Sequence, residues 1–123
     1  KIPSVLSHLR MKGIALCVVS NFDHRLKSIL SSLDLSKYFH MIVLSGELGI
    51  EKPDRRIFDI VLRHFDLNDP STLLHIGDDL KKDFNGAKSM GARALLFDPK
   101  RKYEDTVVTT SDRLEKFNQL NVY

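Results

Sequence analysis

An α/β fold built on a parallel sheet is what these 123 residues predict. Two observations carry the prediction. Short apolar, β-branched runs alternate along the chain with stretches of helical periodicity. The first run, Ile14 to Val19, is continuously apolar, as a strand buried on both faces is.

The elements follow in order. Pro3 to Lys12 places Val5, Leu6 and Leu9 near helical spacing, and Gly13 stops that helix. Ile14 to Val19 is the first strand. After Ser20-Asn21-Phe22-Asp23, the residues Leu26, Ile29, Leu30 and Leu33 mark one face of a helix. Met41 to Leu44 is the second strand, and the loop SGELGIEKP follows it. Ile57, Ile60, Val61 and Phe65 define another amphipathic helix, with Pro53 near its start, where proline is tolerated. Asn68-Asp69-Pro70-Ser71 reads as a turn and Thr72 to Ile76 as the third strand. Asp83 to Met90 reads as a short helix closed by Gly91, and Ala92 to Phe97 as the fourth strand. Val107-Val108 is taken as a weak fifth strand and Ser111 to Leu120 as a last helix with Ser111 as its N-cap. The whole is one domain over 1–123, a Rossmann-like parallel sheet with helices on both faces. Neither a repeat nor a low-complexity segment interrupts it.

Composition narrows the function. With 42% hydrophobic and 28% charged residues, the chain reads as globular. No apolar run approaches a membrane span, so no membrane partner is expected. The net charge is +3, but Arg55-Arg56, Lys81-Lys82 and Lys100-Arg101-Lys102 each lie close to an acid. No long basic run forms, and no nucleic-acid partner is expected. Cys17 is the only cysteine and sits within IALCVV, where it reads as a core thiol in a reducing compartment. Lys1 to Lys12 lacks the apolar segment of a signal peptide. The expected location is cytoplasmic, with a targeting signal ahead of Lys1 left open because the chain does not begin with Met.

Open parallel sheets bind ligands at the carboxyl ends of their strands. Three polar clusters follow apolar runs here: Ser20-Asn21, Glu51-Lys52-Pro53-Asp54 and Asp78-Asp79. Each has an ordinary explanation. Ser20, Asn21 or Asp23 could cap the next helix. Lys52 could be a loop lysine, although Pro53 restricts its backbone and would help aim it. Asp79 could sit at a helix start, where the dipole favours a carboxylate. That explanation covers one or two aspartates better than it covers Asp78, Asp79 and Asp83 together. Together the clusters offer a hydroxyl, an ammonium and carboxylates, the parts a phosphate with Mg²⁺ needs. The five histidines show no metal-ligand spacing, and His75 within a strand reads as a satisfied core residue. No nucleophile elbow of the Gly-x-Ser-x-Gly kind and no P-loop glycine pattern occurs.

VVSN (Val18 to Asn21), the lysine of EKPD and GDDLKKD (Gly77 to Asp83) resemble the second, third and fourth motifs of the haloacid dehalogenase superfamily. Their order and spacing agree, and the resemblance runs from about Pro3 to Phe97. It implies a hydrolase, mostly a Mg²⁺-dependent phosphatase of small phosphorylated substrates acting through an aspartyl-phosphate. It also implies roles. Ser20 would hydrogen-bond the transferring phosphoryl group, with Asn21 beside it. Lys52 would neutralise the phosphate and the nucleophile. Asp78 would ligate Mg²⁺. Asp83 would orient Lys52 or a metal-bound water. Asp79 stands where the family often has Ser or Asn, and would add charge behind the metal.

One departure is large. The family's first motif, D-x-D-x-[TV], carries the nucleophile and the general acid/base, and no D-x-D occurs in this chain. By the resemblance, that motif and the substrate-selecting cap would lie ahead of Lys1, and the chain is the C-terminal part of such a core, inactive alone. The nucleophile strand is central in the family. Without it, strand pairs would face each other with unpaired edges, so the isolated chain is expected to be weakly stable, rearranged, or self-associated. A non-catalytic module that binds a partner or phosphate is the alternative reading.

Overall fold

Gly13 adopts φ +81 just after the first helix, the left-handed conformation in which glycine ends a helix without strain. The computed structural model describes residues 2–20 and 25–122. They belong to two units, Lys1–Glu51 with Phe117–Tyr123, and Lys52–Lys116.

In the first unit, α1 (Ile2–Met11) buries Val5 and Leu9, one helical turn apart on one face. It packs on a 3₁₀ turn, Ser36–Tyr38, and on a terminal 3₁₀ segment, Phe117–Val122. β1 (Cys17–Ser20), α2 (Arg25–Ser32), β2 (Met41–Leu44) and α3 (Ser45–Leu48) complete it. β1 and β2 pair in parallel, with Cys17 opposite Met41 and Ser20 opposite Leu44. His40 leads into that ladder: its N–H donates to Leu16 O at 2.7 Å. Its Nδ1 accepts from Leu16 N at 3.1 Å.

Three expectations change here. The first strand begins at Cys17 rather than Ile14, because the Ile14 amide donates back to Leu9 O and closes α1. The loop after β2 contains α3, ended by Gly49 at φ +73. The expected apolar face of α2 is only partly covered: Leu26 and Leu30 are half-buried, while Ile29 and Leu33 are exposed. Cys17 is half-buried, and burial pushes its thiol up to about 11, which keeps it protonated and unreactive.

In the second unit, Asp54 caps α4 (Arg55–His64) by accepting from Arg56 N at 3.0 Å. α4 buries Ile57, Phe58, Val61 and Leu62, an apolar stripe at helical spacing. A 3₁₀ turn at Pro70–Thr72 leads into β3 (Leu74–Gly77). A π-helical turn, Leu80–Asn85, runs into α5 (Gly86–Ser89), then β4 (Arg93–Phe97) and β5 (Arg113–Leu114). The sheet order is β3-β4-β5, all parallel, with His75 opposite Ala94 and Leu96 opposite Arg113. β4 is central and buries Ala94, Leu95 and Leu96.

The end of this unit differs most from expectation. Val107-Val108 forms no strand; Val108 is a buried plug, and the fifth strand is Arg113–Leu114. A helix over Ser111 to Leu120 does not form, because Arg113 is drawn into the interior. Its Nε lies 3.6 Å from Asp98 Oδ2 and its Nη1 donates to Asp105 Oδ1 at 2.9 Å. Asp98 is buried and accepts from Lys102 N at 2.7 Å and Tyr103 N at 3.0 Å. Among the described residues, no helix is long and apolar enough to cross a membrane.

Candidate functional site

β3 ends at Gly77, and its side chains alternate between faces, so His75 and Gly77 share one. The missing side chain at Gly77 leaves room for another. Asp83 fills it: a Cβ at Gly77 would overlap the Asp83 carboxyl carbon. The π-helical turn delivers Asp83 there, since Asp83 N and Phe84 N both donate to Asp79 O, at 3.0 and 3.2 Å. Lys52 arrives from the other side. It precedes Pro53 through a cis peptide, and Pro53 rests against Gly86, where a Cβ would lie 2.9 Å from Pro53 Cβ.

Three donors converge on Asp83. Lys52 Nζ donates to Oδ1 at 2.5 Å, His75 Nε2 donates to the same oxygen at 2.9 Å, and Asp79 N donates to Oδ2 at 3.1 Å. The ion pair is largely shielded, with side-chain exposures of 12% for Lys52 and 6% for Asp83. Burial alone would raise the Asp83 pKa; the His75 and Lys52 hydrogen bonds, the Lys52 charge and the Asp79 amide outweigh it. The carboxyl is held well below the usual carboxylate range and is ionised at neutral pH. Phe58, fully buried, meets the His75 ring edge to face at 5.0 Å between centroids.

The other candidates fall differently. Asp79 caps the π-helical turn, its Oδ1 accepting from Lys82 N at 2.8 Å. Asp78, just past β3, is exposed and makes no hydrogen bond or ion pair among the described residues. Ser20 ends β1 in the first unit, and Asn21 lies outside the described residues. The structure thus brings Lys52, Asp83 and the Asp79 backbone together. His75 was missed from the site; its signal was the period of two that sets it on the face of Gly77.

Among the described residues, no group of three His, Cys, Asp or Glu is placed to hold a metal ion by itself. The donor set still fits Mg²⁺, which often takes one or two carboxylates and completes its shell with water and substrate phosphate. Of Asp78, Asp79 and Asp83, Asp78 is the one whose carboxylate has no other engagement to give up.

Comparison with known proteins identifies the family and the fold. The family model for haloacid dehalogenase-like hydrolase matches residues 1–97. Haloacid dehalogenase-like hydrolase domain-containing protein 3 of Bos taurus is 39% identical over 93 residues, covering 76% of this chain and 37% of that protein. Phosphoserine phosphatase of Thermus thermophilus is 35% identical over 101 residues, covering 81% of this chain and 40% of that protein. The chain therefore spans well under half the length of these relatives. Among solved structures, a HAD phosphatase from Thermococcus onnurineus superposes with TM-score 0.87 at 22% identity, over 97% of this chain and 54% of that one. A putative HAD-hydrolase, YfnB, from Bacillus subtilis, bound to magnesium, gives 0.81 at 24% identity, over 95% of this chain and 50% of that one. These two show a shared fold, and the match over residues 1–97 shows descent: the chain belongs to the haloacid dehalogenase-like hydrolases.

Proposed function

We propose that the chain carries the phosphate-holding and metal-holding residues of a Mg²⁺-dependent phosphatase of small phosphorylated substrates. The observation that carries this reading is the shielded Lys52–Asp83 pair at the end of β3, with the unengaged Asp78 beside it in sequence. An ammonium has three donors, and Asp83 aims it by holding one. The low exposure of Lys52 strengthens its attraction for an anion. Ser20 would donate its hydroxyl to a phosphoryl oxygen, with Asn21 beside it. Asp78 would hold the ion, which when bound offsets the charge gathering on the transferring group. Asp79 would add negative charge near Asp78. Phosphatases among the relatives support this chemistry.

These residues contain no D-x-D, so the attacking carboxylate and the proton donor of an aspartyl-phosphate route would come from outside them. That absence also favours a second reading, a phosphate-binding module without turnover. One experiment separates the two. In the full-length protein, Asp78→Asn should lower Mg²⁺-dependent hydrolysis of p-nitrophenyl phosphate by about a hundredfold or more, with the melting temperature unchanged. Full activity in the variant would remove Asp78 from metal binding. A wild-type protein that binds phosphate and never releases product would favour the module.

A further inference from the structure

We propose that His75 is a positioning residue, whose Nε2–H, given to the Asp83 oxygen that also holds Lys52, sets where the Lys52 ammonium meets an anionic ligand. The inference rests on the reading of this site as a phosphate site and adds to it a residue that the motif pattern does not include.

Tautomer and geometry carry it. An ionised carboxylate only accepts, so His75 must donate, and its proton is on Nε2. Oδ1 then receives two donors, at 2.5 Å from Lys52 and 2.9 Å from His75, while Oδ2 receives the Asp79 amide at 3.1 Å. Rotation of the carboxylate loses at least one of them. Without His75, two donors remain, one of them at the end of a long side chain with several rotatable bonds, and the carboxylate is free to follow it. The imidazole is itself fixed, by the β3–β4 ladder at its backbone and by the edge of Phe58 at its ring. A core histidine also needs an acceptor for its shielded N–H; what marks His75 is that its acceptor is the same oxygen that holds Lys52.

Two substitutions separate donor from ring. His75→Phe keeps an aromatic ring against Phe58 and removes the donor. His75→Gln removes the ring and can place an amide N–H near the Nε2 position. The measurement is the affinity of full-length protein for inorganic phosphate in MgCl₂ by calorimetry, with melting temperatures alongside and Lys52→Met as the floor. Expected is about tenfold weaker binding for His75→Phe, the scale of a lost hydrogen bond to a charged group, and recovery to within about threefold for His75→Gln. Phosphate affinity in folded His75→Phe equal to wild type would overturn the proposal. So would equal losses in both variants, which would assign the role to the ring. If His75→Phe does not fold, His75→Gln decides: near-wild-type affinity supports the donor role, and loss to the Lys52→Met floor overturns it. Should Lys52→Met bind as well as wild type, the phosphate site itself fails; should only the His75 variants be silent, the site stands and this inference falls.

Discussion

Asp83 resolves a conflict visible in the bare sequence. Asp78, Asp79 and Asp83 lie within six residues and should repel one another. The structure directs each elsewhere: Asp79 to the Lys82 amide, Asp83 to Lys52, His75 and the Asp79 amide, Asp78 outward. The folded pKa of Asp83 lies below its unfolded value of about 3.9. Its stabilisation is therefore complete above that pH and is lost as pH falls below it toward the folded value. Asp83→Asn should cost about 3–5 kcal/mol at neutral pH, because the shielded Lys52 charge loses the Asp83 carboxylate. It should also flatten the loss of stability below about pH 4. Urea midpoints from pH 2 to 7 test both, and an unaltered acid slope would contradict the assignment. Lys52 and Asp83 could be singled out from spacing and resemblance. Their contact at 2.5 Å could not, because nothing local shows that Gly77 and Gly86 clear the way for it.

At the scale of elements, legibility follows apolar periodicity. Met41 to Leu44 is readable to the residue, and α4 nearly so, because one is an unbroken apolar run and the other an apolar stripe at helical spacing. Arg113–Leu114 is not, since a strand beginning with a buried arginine has no apolar signature. α3 reads as loop in the sequence because four residues are too few for a period to register. The sequence starts its short helix at Asp83, whereas the π-helical turn already begins at Leu80, because a single leucine ahead of Lys81-Lys82 is too little for a period to register. α4 also links core to site. Phe58→Ala should cost about 3–5 kcal/mol by opening a cavity. It should also loosen the imidazole, so the variant should lose phosphate affinity even where it remains folded. Phe58→Leu, which keeps most of the volume, should lose far less stability; equal midpoints for both variants would place Phe58 outside the core.

For the whole molecule, strand pairing sets the expectation. β1 pairs with β2 alone and β3 with β4 alone among the described residues, and the side chains of both strands are only half-buried. Open edges of this kind invite another strand. Produced by itself, the chain is expected to melt early or to self-associate through these edges. Sedimentation velocity and a thermal melt would show it, whereas a cooperative transition of a 14.1 kDa monomer would count against it. The polar tail after Pro99, which offers no periodicity to read, is the best-tied irregular stretch in the second unit. Buried Asp98 and Arg113 fasten its two ends together like a buckle. The entropy of closing a loop grows only with the logarithm of its length, about 0.6 kcal/mol per doubling. The clasp therefore fixes the ends and leaves the length between them largely unconstrained. A residue inserted into that strap should therefore leave β5 in the same place, provided that Asp98, Tyr103, Asp105 and Val108, which hold Arg113, keep their contacts.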